Sequence, residues 1–222
     1  MLNNTHLDDK IIIAALQCAE NKRWSDVSLR DIANAANVSL SELHNEFPSK
    51  KLILSAFINR IDKEVLTQTE ADADIGDETP RDRLFDVIMT RFTVMQPFKT
   101  AINSITKDLW KFNQVSNIPF TDFEVSMRWM LVAATLHSEG AKGRLRCVGL
   151  SKVYLDVFRI WLKDEDAGLA KTMAVLDKKL RQGETWLKRA DTIMDEGSEL
   201  FRRCLRKSAK PPFENNDVYK SR

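Results

Sequence analysis

Four short stretches place a hydroxyl side chain three residues ahead of an acid: Ser28-Leu29-Arg30-Asp31, Ser39-Leu40-Ser41-Glu42, Thr79-Pro80-Arg81-Asp82 and Thr121-Asp122-Phe123-Glu124. In such a capping box the hydroxyl accepts from a free N–H of the new helix while the acid reaches back to the N–H of the capping residue. Pro80 adds a proline at a first helical position, where its missing N–H costs nothing. No long stretch alternates apolar and polar residues with period two, which a half-buried strand would require. Seven glycines and six prolines in 222 residues are also too few for the turns of a β-sandwich. The chain therefore reads as all-α.

Apolar spacing sets the helices between these starts. Ile11, Ile12, Ala15, Leu16 and Ala19 make one face of a first helix over 7–22, followed by short helices at 28–36 and 39–46. A longer helix over 50–71 carries Leu52, Ala56, Phe57, Ile61 and Val65. Further helices are expected at 80–95, 98–112, 121–139, 145–163, 167–189 and 191–207, with polar loops at Asp72–Glu78 and Lys111–Pro119. This divides the chain into an N-terminal three-helix unit (1–60), a larger helical bundle (61–207), for which the resemblances given below imply ligand binding and dimerisation, and a polar tail (208–222) expected to be disordered.

Composition excludes several classes. Hydrophobic residues make up 43% of the chain, ample for a core, and the net charge of +2 names no partner. Cys18, Cys147 and Cys204 form no CxxC pair, and His6, His44 and His137 lie in unrelated segments, so neither a metal site nor a catalytic triad is predicted. No phosphate-binding glycine loop, nucleophile elbow or HExxH occurs. The expectation is a non-enzyme with no cofactor. Residues 1–10 lack the pattern of a secretion signal, and the longest apolar run, Trp129 to Leu136, is too short to span a bilayer, so a cytoplasmic protein is expected.

The N-terminal unit carries the sharpest motif. Two short helices joined at Ala36-Asn37, with Ile32, Ala33, Ala36, Val38 and Leu43 as small or apolar crossing residues and Phe47 at the junction with the fourth helix, match a helix-turn-helix. From Lys10 to Phe57 the sequence resembles the TetR-type bacterial transcription regulators. Ser28-Leu29-Arg30-Asp31-Ile32-Ala33 is similar to the start of that family's second helix, and Asn37-Val38-Ser39 to its turn. Leu43, Phe47, Ser49-Lys50 and Leu52 match its third-to-fourth helix junction. The resemblance implies a homodimer that places the helix 39–46 in the major groove of a double-stranded DNA operator. It implies DNA-binding positions at Ser28, Ser39, Leu40, Ser41, His44, Asn45 and Lys50, with Lys50 on a phosphate.

Charge departs from that pattern. The family usually has threonine, tyrosine and an aromatic residue or histidine where this chain has Glu42, His44 and Glu46. Glu42 is explained as the acid of its capping box; Glu46 has no such role. Residues 1–60 hold seven cations and seven anions, a neutral balance for a module whose non-specific affinity comes mostly from counterion release.

The C-terminal part carries a second resemblance. Arg81-Asp82-Arg83-Leu84-Phe85, Val153-Tyr154, Trp161-Leu162, Asp164, Thr172 and Leu176-Asp177-Lys178-Lys179-Leu180 are similar to the ubiquinone-biosynthesis accessory proteins, which bind lipid on a TetR-type fold. Asn113 to His137 departs from that family's pattern. Large soft or aromatic residues, with Phe85, Met89, Phe92, Met127, Met130 and Phe158 as the expected ligand-binding set, read either as ordinary core or as the wall of a site for an apolar small molecule or lipid.

Two stripes suggest helix pairing. Leu169, Met173, Leu176, Leu180, Gly183 and Leu187 recur with heptad spacing, and Leu150, Tyr154, Val157 and Trp161 line the preceding helix. They are expected to form half of an intersubunit four-helix bundle, the alternative being that both face this chain's own core. The basic amphipathic segment 191–207 suits either docking on the domain or peripheral membrane contact. The combined expectation is a TetR-type repressor relieved by an apolar ligand, the alternative being a lipid-binding accessory protein of quinone biosynthesis with weak or lost DNA binding.

Overall fold

A computed structural model describes residues 6–71, 78–111 and 120–185. Helix α1 (Leu7–Asn21) is followed by a 3₁₀ turn (Trp24–Asp26), α2 (Leu29–Ala36), α3 (Leu40–Glu46), α4 (Lys50–Ala71), α5 (Pro80–Met95), a second 3₁₀ turn (Gln96–Phe98), α6 (Lys99–Lys111), α7 (Phe120–Ala133) and α8 (Gly140–Trp161). A last described helix, α9, covers 170–185. No strand occurs among the described residues. The chain divides into two units, Met1–Gly183 and Glu184–Arg222, and helices α1 to α8 with most of α9 belong to the first. The expected helix at 191–207 and the tail at 208–222 lie outside the described residues.

The cap signals explain most of the boundaries. Ser28 Oγ accepts from Asp31 N–H (3.1 Å) while Asp31 Oδ2 accepts from Ser28 N–H (2.8 Å), closing the box at the start of α2. Ser39 and Glu42 repeat it at α3 with the same two distances. At α5 Thr79 Oγ1 accepts from Asp82 N–H (3.2 Å), with Pro80 at the first helical position. Helix α7 instead begins at Phe120, so Thr121 lies inside it and is not its cap.

The boundary between the helices expected at 121–139 and 145–163 falls elsewhere. Helix α7 ends at Ala133 and α8 begins at Gly140. Thr135 takes a left-handed conformation (φ 56°), and the N–H groups of Leu136 and Thr135 return to the carbonyls of Leu131 and Val132, each at 2.9 Å. This is a Schellman stop built on a β-branched residue, which rarely adopts such a φ, so no residue type signals it. Gly143 then has to be glycine, because a Cβ there would overlap the Ser138 carbonyl.

The face predicted for α1 is buried, and α1 packs on α2, α4 and α6. In the larger half α4 packs on α5 and α7, and α7 on α8. Its centre is an aromatic stack: the Phe92 ring lies 5.4 Å from Tyr154 and 5.6 Å from Trp161, and Phe158 lies 5.9 Å and 5.5 Å from the same two. Leu150, Tyr154, Val157 and Trp161 are all buried here, as are Leu169, Leu176 and Leu180. The two stripes expected to form a dimer seam therefore pack this chain's own core; Met173 alone of those seen is exposed.

Beside the stack sits a buried ion pair. Arg91 bonds Asp62 through Nη1 and the Tyr154 hydroxyl through Nε (3.2 Å), and Ser126 Oγ donates to the same Asp62 oxygen at 2.7 Å. Burial opposes the Arg91 charge, yet Tyr154 and Asp62 hold its value above that of free arginine. The network joins α4, α5, α7 and α8. Removing one partner leaves a charge in an apolar core without compensation. Asp62→Ala is expected to cost about 3–5 kcal/mol in urea unfolding, well beyond an exposed control such as Glu20→Ala.

Candidate nucleic-acid interface

The head is arranged around α3. Only Leu43 of this helix is buried; Leu40, Ser41, Glu42, His44, Asn45 and Glu46 are exposed. Leu43 thus fixes the helix to the body, and the remaining side chains form an outward edge. The turn before it is set by Asn37 at φ 53°, with Val38 N–H bonding Ala33 O at 3.0 Å and Asn37 N–H bonding Asn34 O at 3.1 Å. Asparagine is among the few side chains that accept this conformation readily. The reversal lets α2 and α3 cross over Ala33, Leu43 and Val38.

The candidate DNA-contacting residues divide into three groups. Leu40, Ser41, His44 and Asn45 share the exposed surface of α3. Ser28 and Ser39 are exposed but engaged as caps. Glu42 is engaged with Ser39, whose backbone N–H and hydroxyl hold its carboxyl below the usual glutamate value. Glu46 has no hydrogen bond or ion pair among the described residues and stands in solvent.

Lys50 is turned inward. Its Nζ donates to the carbonyls of Trp24 and Val27, both at 2.7 Å, and lies 4.5 Å from the centre of the Trp24 ring. Burial lowers its value below that of free lysine, against the pull of Asp108, Asp26 and Asp31. The ammonium thus ties the first turn of α4 to the 3₁₀ turn that leads into α2. Sequence reading missed both this role and the contact beside it, in which Asp108 of α6 accepts from Ser25 N–H at 2.7 Å. Trp24, the one aromatic residue between α1 and α2, was the available signal. Arg30 and Lys51, exposed on α2 and at the start of α4, form no ion pair among the described residues. Arg60 is committed to Asp8 and Asp9 of α1.

The residues expected to bind ligand belong to one apolar cluster. Phe92, Met127, Met130 and Phe158 are buried in the core, with Phe85 and Met89 partly buried against it.

No protein-family model matches the chain, and no curated protein matches it. Solved structures do. A TetR transcriptional regulator from Nitrosomonas europaea ATCC 19718 aligns with a TM-score of 0.66 at 23% identity, covering 81% of this chain and 98% of its own. One from Rhodococcus sp. RHA1 gives 0.57 at 16%, covering 78% and 93%, and one from Streptomyces coelicolor gives 0.51 at 17%, covering 93% and 94%. The chain has the TetR-type fold. The similarity spans nearly all of those chains, so it takes in the helix-turn-helix and the larger helical half together. None of these matches shows the resemblance to ubiquinone-biosynthesis accessory proteins.

Two outcomes check the TetR-type head. Asn37→Ala is expected to lower stability by about 1 kcal/mol, whereas Asn37→Gly is near neutral, because only the former is strained at positive φ. The Glu42 carboxyl is lowered on folding, so its contribution is present above the ordinary value of 4.5 and is lost as pH falls through the lowered one. Glu42→Gln should flatten that part of the acid-unfolding profile followed by circular dichroism.

Proposed function

We propose that the chain is a TetR-type DNA-binding transcription regulator, a repressor that works as a homodimer and is released by an apolar ligand in its larger helical half. The observation that carries this is α3: a capped helix anchored by one buried leucine, with Ser41, His44 and Asn45 on an edge left exposed by the described residues. Such an edge fits a major groove, where serine, histidine and asparagine donate to and accept from base edges. Phosphate contacts fall to the exposed Arg30 and Lys51, since the Lys50 ammonium is occupied by backbone carbonyls. Release of DNA requires the ligand to favour one arrangement of the two heads over the other, and the Lys50 and Asp108 contacts give the larger half a physical hold on the head.

A second reading keeps the fold and drops the DNA: a lipid-binding accessory protein, such as those of quinone biosynthesis. It is favoured by Glu46, which places an unpaired acid on the edge that would face the groove, and by the inward Lys50.

Footprinting of genomic fragments at low salt is expected to give protected half-sites about one helical turn apart. At such a site His44→Ala and Asn45→Ala should each cost about 1–3 kcal/mol and leave non-specific binding unchanged. Lys51→Ala should reduce the salt slope by about one, while Lys50→Ala should leave the slope intact and lower thermal stability instead. If no fragment is protected and native mass spectrometry finds a retained lipid, the accessory reading takes its place.

A further inference from the structure

The residues of α3 sort into rows by helical spacing. Leu43 points into the body, and at about 100° per residue Ser41 and Asn45 fall on the opposite side. Leu40 and His44 make a row on one flank of that pair, and Glu42 and Glu46 make a row on the other. The exposed surface is therefore graded across the helix, from an apolar edge through hydroxyl and amide to an acidic edge. No lysine or arginine occurs between Arg30 and Lys50. Leu40 is the odd member of this polar surface. It is 42% exposed, opens the helix directly after the Ser39 cap, and belongs to no part of the apolar core among the described residues. A single exposed leucine is ordinary on a protein surface, but this one stands at the start of the helix, where recognition helices meet base edges.

We infer that α3 reads A·T base pairs, with Leu40 against the C5-methyl of a thymine and Asn45 holding an adenine through N6 and N7. The chemistry of each row selects these partners. A branched hydrocarbon side chain makes only van der Waals contact, and the thymine methyl is the apolar group that the major groove offers. The exposed Asn45 amide presents a donor and an acceptor in one plane, which matches the adenine N7 acceptor and N6 amine. Guanine shows two acceptors, O6 and N7, and its commonest partner is an arginine or lysine that supplies two donors. That partner is missing from α3 and its turn, and the carboxylates of Glu42 and Glu46 can only accept. The inference rests on the DNA-reading proposal and adds to it what is read.

Selection from a randomised duplex pool by the full chain at low salt, followed by base-analogue replacement in the enriched site, provides the test. Enriched half-sites are expected to carry thymine and adenine where α3 makes contact. Replacing that thymine by deoxyuridine removes only the methyl and should weaken wild-type binding about fourfold. Leu40→Ala should bind the two duplexes equally, while Leu40→Met keeps the difference. Replacing the adenine by 7-deazaadenine removes the N7 acceptor; it should weaken the wild type about tenfold and leave Asn45→Ala indifferent. The wild-type measurements need no variant, so a substitution that harms folding cannot imitate the result. Half-sites with G·C pairs against α3, a wild type indifferent to deoxyuridine, or a Leu40→Ala protein that keeps the full deoxyuridine penalty each overturns the inference and leaves DNA reading standing. A pool from which nothing is enriched overturns the DNA reading and this inference with it.

Discussion

A single ammonium group holds the head in its working shape. Lys50 bonds two backbone carbonyls of the segment between α1 and α2 and lies against the face of Trp24. Those carbonyls belong to a 3₁₀ turn that is also held by Val27 N–H on Trp24 O and by Asp108 on Ser25 N–H, and Lys50 adds a charged donor to both of its ends. With the turn fixed, α2 starts at Ser28, the reversal falls at Asn37, and α3 emerges with Leu43 inward. A charged donor to two carbonyls at 2.7 Å is a strong interaction in a partly dry setting. It also removes from the surface the one cation that the family resemblance assigns to a phosphate.

The larger half follows a different logic. Its aromatic stack supplies burial, and the Asp62–Arg91–Tyr154–Ser126 network supplies uniqueness, since four helices must meet in one register for every polar atom to be paired. A buried pair of this kind contributes little net stability compared with well-packed apolar residues. Its effect is to penalise every other arrangement. The core therefore has one preferred packing.

Local chemistry was legible in the sequence, and long-range partnership was not. The capping boxes at Ser28 and Ser39 and the apolar face of α1 are patterns within a few residues, and each appears as expected. Thr135 escaped because a β-branched residue at positive φ is held by tertiary context against its own preference. The stripes on α8 and α9 were visible, but periodicity shows only that a helix has an apolar side, not whose core it meets. Lys50 shows the same limit, since its partners lie 23 and 26 residues away.

Helix α4 spans both halves, with Lys50 at its first turn and Asp62 twelve residues further on. At 1.5 Å per residue that separation is about 18 Å. A tilt of about 5° pivoting at Asp62 would therefore sweep the Lys50 end through about 1.5 Å, a mechanical gain set by length alone. A rigid rod clamped near its middle by a buried salt link turns sub-ångström adjustments among core side chains into displacements as large as a misplaced hydrogen bond.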